Sequence, residues 1–370
     1  MTATQGDPSV FTQLAKRIKL EGAITIADFM ADVLTAPKHG YYMSGEPFGA
    51  AGDFITAPEV SQMFGELIGV WCADTWYNMG GPTELNLVEL GPGRGTLMAD
   101  ILRAAGMVPG FLQTLQVHLV EVSPNLKKKQ KQALAGFNIT WHQDLTSLPE
   151  GPTLFIANEF FDALPIKQFE RSPDGWCERL ITLNEDGKEL IFTLSPPSKA
   201  IESLIPKNLC SAAEGAVVEL SPIASTITDM ISRHILDHGG AALFIDYGRD
   251  IPTATPSLQA IKSHKKHPVL KEPGTADISA LVDFPTLVTT ALNTGIAAHG
   301  PITQRDFLHS LGIEQRAEML RKTGTDEQVV DITSAEHRLT DPNEMGTLFK
   351  VLALTHPDHP TPAAFPEQPE

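Results

Sequence analysis

Cysteine, basic charge and long apolar runs are all scarce in this sequence, and each scarcity removes a class of protein. Three cysteines in 370 residues, Cys72, Cys177 and Cys210, are too few and too scattered for a disulfide framework or a zinc knuckle. Lysine and arginine number 28 against 45 acidic residues, a formal net charge of -17, so the chain repels phosphate backbones and a nucleic-acid partner is not expected. No apolar run approaches the roughly 20 residues that span a bilayer, so membrane insertion is not expected either. The start, MTATQGDPSVF, carries neither an export pattern nor an Arg-rich amphipathic one. With cysteines that read as reduced, these features set a bacterial cytoplasmic location as the expectation. The remaining composition, 42% hydrophobic and 20% charged, supports a large core in one domain with insertions or in two domains around a cleft.

Residues from about 9 to 80 read as helical, broken by one Gly- and Pro-containing loop. In APEVSQMFGELIGVWCADTWYNMG, apolar side chains at Val60, Met63, Phe64, Leu67, Ile68 and Trp71 recur at three- and four-residue steps, the mark of one buried helix face. From Leu85 the texture becomes short apolar runs (LNLVEL, VHLVEV, NITWHQDL, TLFIANEF) alternating with helical ones, the rhythm of a doubly wound, mostly parallel sheet. Between Pro165 and Pro197, extended segments joined by PDG and EDG predict an antiparallel insertion. AALFIDYG reads as a further buried strand and MGTLFKVLALTH as the last one. Residues 250–284 look irregular, a lid or long functional loop, and the Pro-rich end reads as a disordered tail.

Inside the first strand–helix unit lies VELGPGRGTL. A phosphate-binding loop would need Lys followed by Ser or Thr after the last glycine, and none is there. A dinucleotide fingerprint runs G-x-G-x-x-G, whereas Gly91, Gly93 and Gly95 run G-x-G-x-G behind an acidic residue, Glu89. A carboxylate before the loop suits a ligand with a positive end, and S-adenosylmethionine (SAM) has an ammonium and a sulfonium and no phosphate. Glu121, at the end of the second strand, is placed to take ribose hydroxyls through charge-assisted hydrogen bonds. At the end of the third, Asp144 can accept from the adenine amino group while Leu145 covers the base. Each carboxylate alone is equally well a helix cap or a solvent-facing group; the ordered set on successive strands favours a cofactor.

The fourth strand ends in NEFFDALP. If the chain turns helical after Asn158, Glu159 and Asp162 share a face, where paired carboxylates can hold a guanidinium towards the methyl donor while the Asn158 amide positions it. The bland alternative is a capping Asp162 and a hydrated Glu159. His234 and His238, four apart, have metal-ligand spacing but no third ligand, and read as surface histidines. No metal is expected. The SHKKH and NLKKKQKQ runs read as solvated.

Taken together, HGYYM, GDFITAPEVSQMFGELIGVW, VELGPGRGTLMADILRA, HLVEVSP, NEFFDALPIKQF, FIDYG and DISALVDF resemble the SAM-dependent methyltransferase family of bacterial MidA-like proteins and the mitochondrial complex I assembly methyltransferase. The match spans nearly the whole chain. The resemblance implies a class I methyltransferase fold, Rossmann-like with a doubly wound sheet, a helical N-terminal region and an antiparallel β insertion. It divides the chain into a helical region and lid (1–80), a SAM-binding half (81–164), a β-rich insertion and helix (165–240), a segment completing the sheet (241–355) and the tail (356–370). It implies a protein substrate, with arginine methylation of a complex I subunit in the mitochondrial relative. It places Glu89, Gly91, Gly93, Gly95 and Glu121 on cofactor motifs and Asn158, Glu159 and Asp162 on the NE-x-x-D motif. Asp246 and Tyr247 then face the cleft from another strand end, and Tyr42, Asp53, Thr56, Pro58 and Glu59 form a lid. Family members commonly read DIT-x-HVDF where this chain has DISALVDF; Leu281 replaces the histidine, while Asp277 and Asp283 remain.

An assembly chaperone that binds SAM without turnover is the competing reading from another class. An NAD-dependent oxidoreductase is weakened by the glycine spacing. A homodimer is compatible with the apolar N-terminal helices.

Overall fold

A computed structural model describes residues 9–37, 39–44 and 56–367. The chain forms two compact units, each assembled from three segments. One comprises Met1–Phe54, Ala163–Ile223 and Pro252–Leu281; the other comprises Ile55–Asp162, Ala224–Ile251 and Val282–Glu370.

The second unit is built on a sheet ordered Ala297–Thr303, Phe349–Thr355, Gly240–Arg249, Thr153–Asn158, Leu85–Leu90, Leu115–Val120, Ile139–His142, with Val282–Asp283 pairing beside Gly240–Arg249. Neighbours from Gly240–Arg249 to Ile139–His142 are parallel, and Phe349–Thr355 is antiparallel to both its partners. Every residue of the central strands Leu85–Leu90 and Thr153–Asn158 is buried, which is why both read as continuous apolar runs. Strand order reverses between these two: the chain moves outward through the second and third strands, then returns to the other side. In an open α/β sheet that reversal opens a crevice at the carboxyl ends of the strands. The sheet is the expected doubly wound, Rossmann-like one.

Helices Gln62–Asn78 and Thr96–Ala105 pack closely in this unit because Gly65 and Gly69 carry no side chain. A Cβ on Gly69 would stand 2.7 Å from that of Ala104. The apolar stripe from Met63 to Trp71 is buried, as its spacing predicts. The single expected helix is in fact two, Ala57–Val60 and Gln62–Asn78: Ser61 adopts extended backbone and its hydroxyl caps the second by accepting from Met63 N.

The first unit holds helices Val10–Glu21 and Ile26–Thr35 and an antiparallel sheet of Ile24–Thr25, Gly175–Leu183, Lys167–Ser172, Val217–Leu220 and Leu190–Leu194. The antiparallel insertion is therefore present. Leu14, Phe29, Met30, Val33, Ile181 and Ile278 form its core. Thr25 and Asp28 close a capping box at the second helix, and Arg17 bridges Asp28 and Asp32.

Three expectations need correction. Residues 250–284 contain a three-stranded antiparallel sheet, Gln259–Lys262, Lys265–His267 and Asp277–Ser279. Its hairpin turns at Ser263 and His264, both at positive φ (50° and 59°), a geometry usually signalled by Asn-Gly and invisible here. The Gly300-Pro301 pair reads as a breaker, yet Ala297–Thr303 forms an edge strand, because Pro is tolerated at a bulged edge. The expected disordered tail is ordered through residue 367, with Phe365 buried beside the rings of Phe307 and His299.

Candidate functional site

At the strand reversal, Leu85–Leu90 delivers Glu89 and the glycine loop, and Thr153–Asn158 delivers Asn158, Glu159 and Asp162. Gly91, Gly93 and Gly95 have φ of 61°, 51° and 86°, left-handed conformations in which a side chain is strained. Gly95 is the N-cap of helix Thr96–Ala105, so loop amides and the positive helix end face the crevice. A Cβ on Gly91 would stand 2.9 Å from the Phe160 ring, so the loop and the turn after the fourth strand pack on each other.

Glu89 is 3% exposed, and its Oε2 has no hydrogen-bond partner among the described residues. Burial first, and the neighbouring Glu121 charge second, push its carboxyl up to about 8. Across the reversal, Asn158 Oδ1 is likewise buried and unpartnered. Two orphaned acceptors at adjacent strand ends need a donor or a cation to be satisfied. SAM meets that need with its ammonium and sulfonium, and the left-handed glycine cradle leaves its backbone room. The residues present fit this cofactor.

Glu121 is buried; its Oε1 accepts from Ser123 N at 2.7 Å and its Oε2 from Gln130 Nε2 at 3.0 Å. Gln130 also donates to Gly93 O at 2.9 Å and accepts from Trp141 Nε1, so one glutamine ties the second-strand carboxylate to the glycine loop. Nothing in the sequence pattern singled Gln130 out, because it lies within the lysine-rich run of an apparently solvated helix. Asp144 is exposed and caps the short 3-10 helix Leu145–Ser147, accepting from Thr146 N and its hydroxyl. Those bonds, the hydroxyl foremost, hold its carboxyl below the usual range.

The chain does not turn helical after Asn158, contrary to expectation. It forms a tight turn with Glu159 at φ 49°, a strained position for a residue with a side chain. Glu159 Oε1 accepts from Ala57 N at 2.8 Å and from Asn158 Nδ2 at 3.3 Å. Asp246 does not face a substrate cleft: it is fully buried, and its Oδ2 accepts the backbone N–H groups of Phe160, Phe161 and Asp162 at 3.0, 2.8 and 3.2 Å. Tyr247 is half-buried against Phe349.

Of the expected lid residues, Thr56 precedes helix Ala57–Val60 as its N-cap and Pro58 is buried in its first turn. Glu59 Oε1 accepts from the Thr96 hydroxyl at 2.9 Å and its Oε2 lies 3.5 Å from Arg94 Nη1, so it grips the glycine loop and the helix start. Asp53 lies outside the described residues. In the first unit, the Tyr42 hydroxyl donates to Asp277 Oδ1 at 2.9 Å.

His234 is not a surface histidine. It is half-buried edge-on to Phe155, with Nε2 2.8 Å from Thr153 Oγ1. Among the described residues no group of three or more His, Cys, Asp or Glu is placed to hold a metal, and no helix is long and apolar enough to cross a membrane.

A family model described as S-adenosyl-L-methionine-dependent methyltransferase matches residues 67–302. The chain is similar to the Danio rerio protein named Protein arginine methyltransferase NDUFAF7, mitochondrial: 38% identical over 94% of this chain and 86% of that protein. The Mus musculus protein of the same name is 39% identical over 92% of this chain and 83% of its own length. Among solved structures, a Burkholderia thailandensis protein bound to S-adenosyl-homocysteine (SAH) matches with a TM-score of 0.83 and 26% identity, covering 96% of this chain and 93% of that one. The relatives' mitochondrial designation overturns the bacterial cytoplasmic expectation, which rested on a missing leader pattern and on cysteine usage, neither of which sets a compartment. The glycine-loop crevice and these likenesses converge: the chain belongs to the SAM-dependent methyltransferase family and is an enzyme that uses SAM.

Proposed function

We propose that this enzyme methylates arginine in a protein substrate. The observation that carries the reading is the turn Asn158–Asp162, which carries two acidic residues, starts at the left-handed Glu159 and packs its Phe160 ring against Gly91 of the glycine loop. Relatives at 38–39% identity that are named protein arginine methyltransferases support arginine as the acceptor. SAM, when bound, supplies a methyl group on a sulfonium that is displaced in line. The protein's part is alignment: bringing a guanidinium nitrogen into the line of displacement removes the entropic cost of a chance encounter. Glu159 and Asp162 hold the guanidinium through charge-assisted hydrogen bonds, and the Asn158 amide orients it. Glu89 receives the cofactor's positive end, Glu121 the ribose, and Asp144 with Leu145 the adenine. Thr56, Pro58 and Glu59 shape the approach. The motif resemblance extends the substrate to a subunit of respiratory complex I or its local equivalent.

The test is transfer of labelled methyl groups from SAM into protein extract of a deletion strain, read by mass spectrometry. Methylarginine formed by wild type and lost with Glu159→Ala plus Asp162→Ala supports the assignment. No labelled protein, or undiminished labelling by the double variant, counts against it.

A further inference from the structure

Asp246 has no route to a bound substrate, yet its carboxylate is fully engaged. Oδ2 accepts three consecutive backbone N–H groups, from Phe160, Phe161 and Asp162, and Oδ1 accepts from Tyr247 N at 2.8 Å. Three converging amides on one carboxylate oxygen fold the backbone around it, as an anion does at a helix end. The turn so gathered begins at Glu159, whose φ of 49° is strained for a residue with a side chain and persists only where neighbouring structure over-determines it. It also contains Phe160, whose ring fills the space a Cβ on Gly91 would occupy.

We propose that Asp246 is a positioning residue: it locks the turn after the fourth strand so that Glu159 and Asp162 keep one fixed mutual geometry. The inference rests on the acceptor role given to Glu159 and Asp162. Asp246 touches neither cofactor nor acceptor and acts only through the turn. Burial first, and the Glu159 charge in the turn second, push the Asp246 carboxyl up from the usual range, against which the backbone N–H groups of Tyr247, Asp162 and Phe161 hold it down. Its cross-strand neighbour Lys350 is turned to Asp250, at 3.3 Å. The ionised form of Asp246 therefore depends on the backbone amides it gathers, and those amides depend on it.

The test uses the full chain, labelled SAM and the extract assay above, with SAM varied to separate kcat from KM. Asp246→Ala is expected to lower kcat about 100-fold while KM for SAM and the calorimetric Kd for SAH stay within about threefold. A residue serving only general packing moves cofactor binding and turnover together. Asp246→Asn, which keeps the shape and one acceptor oxygen, is expected to fold and to lower kcat about tenfold at unchanged KM for SAM; it decides the matter if the alanine variant does not fold. Wild-type kcat in Asp246→Asn, or loss of SAH binding in step with kcat, overturns the proposal alone. A wild-type protein that labels nothing overturns the proposal and the arginine reading together.

Discussion

Replacing Glu89 with glutamine isolates the electrostatics of cofactor capture. The wild-type carboxyl is 3% exposed, and burial with the adjacent Glu121 charge pushes it to about 8. At pH 7 it is therefore protonated in about nine molecules in ten. A cation seated against Oε2 favours the carboxylate, so SAM binding at pH 7 must expel about 0.9 proton, at a cost of about 1.4 kcal/mol. The sign follows from the raised value: the carboxylate form is scarce below pH 8 and dominant above it, so affinity rises with pH. From pH 6 to pH 7, where the ligand's ammonium keeps its proton, the gain is close to tenfold, and it levels off near pH 8 as that ammonium, at the ordinary α-amino value of about 7.7–8.0, loses its own. Calorimetry of SAM binding in two buffers of different ionisation enthalpy reads the proton directly. Wild type should show a buffer-dependent heat that Glu89→Gln loses, together with the pH slope. Near pH 8, where carboxylate and ammonium coexist, the variant's affinity should fall on the order of tenfold, the worth of one hydrogen bond to a charged group. A buffer-independent heat and a flat pH dependence in wild type would refute the reasoning.

The same raised value predicts a stability effect without cofactor. The folded state holds the Glu89 proton between about pH 4.5 and 8 while the unfolded chain has lost it, so wild-type stability declines across that window. Urea melts should show the stability difference between Glu89→Gln and wild type growing in the variant's favour from pH 5 to pH 8, by on the order of a few kcal/mol. Gly91→Ala, at a φ of 61° with Phe160 2.9 Å from the new Cβ, should cost about 1–3 kcal/mol in urea melts and weaken SAH binding; an unchanged Kd would show that the cradle does not need glycine there. Glu59→Ala removes the grip on Thr96 and Arg94 and should weaken SAH binding a few-fold, with no loss of folding by circular dichroism.

The parallel sheet was legible because its central strands are buried on both faces, and Glu89 with its glycines stood out because local spacing carries that motif. What the sequence concealed depends on contacts between distant residues. Gln130, inside a lysine-rich run, joins Glu121 to Gly93, which lies 37 positions before it. Asp246 sits about 85 positions from the amides it holds, so its strand-end location read as access to a cleft when its carboxylate points into the protein. A spacing of three between Glu159 and Asp162 suits a helix, but the backbone after Asn158 instead wraps around Asp246, a contact about 85 positions away that no local pattern signals. Ser263 and His264 show the same limit locally: a two-residue turn without glycine leaves no mark.

The most direct test of the central claim is a crystal structure of this protein with SAH bound. The account predicts the ligand's amino group against Glu89, its ribose on Glu121, and its sulfur directed towards Asn158 and the Glu159 turn. A ligand seated elsewhere, or one whose sulfur faces away from that turn, would contradict it.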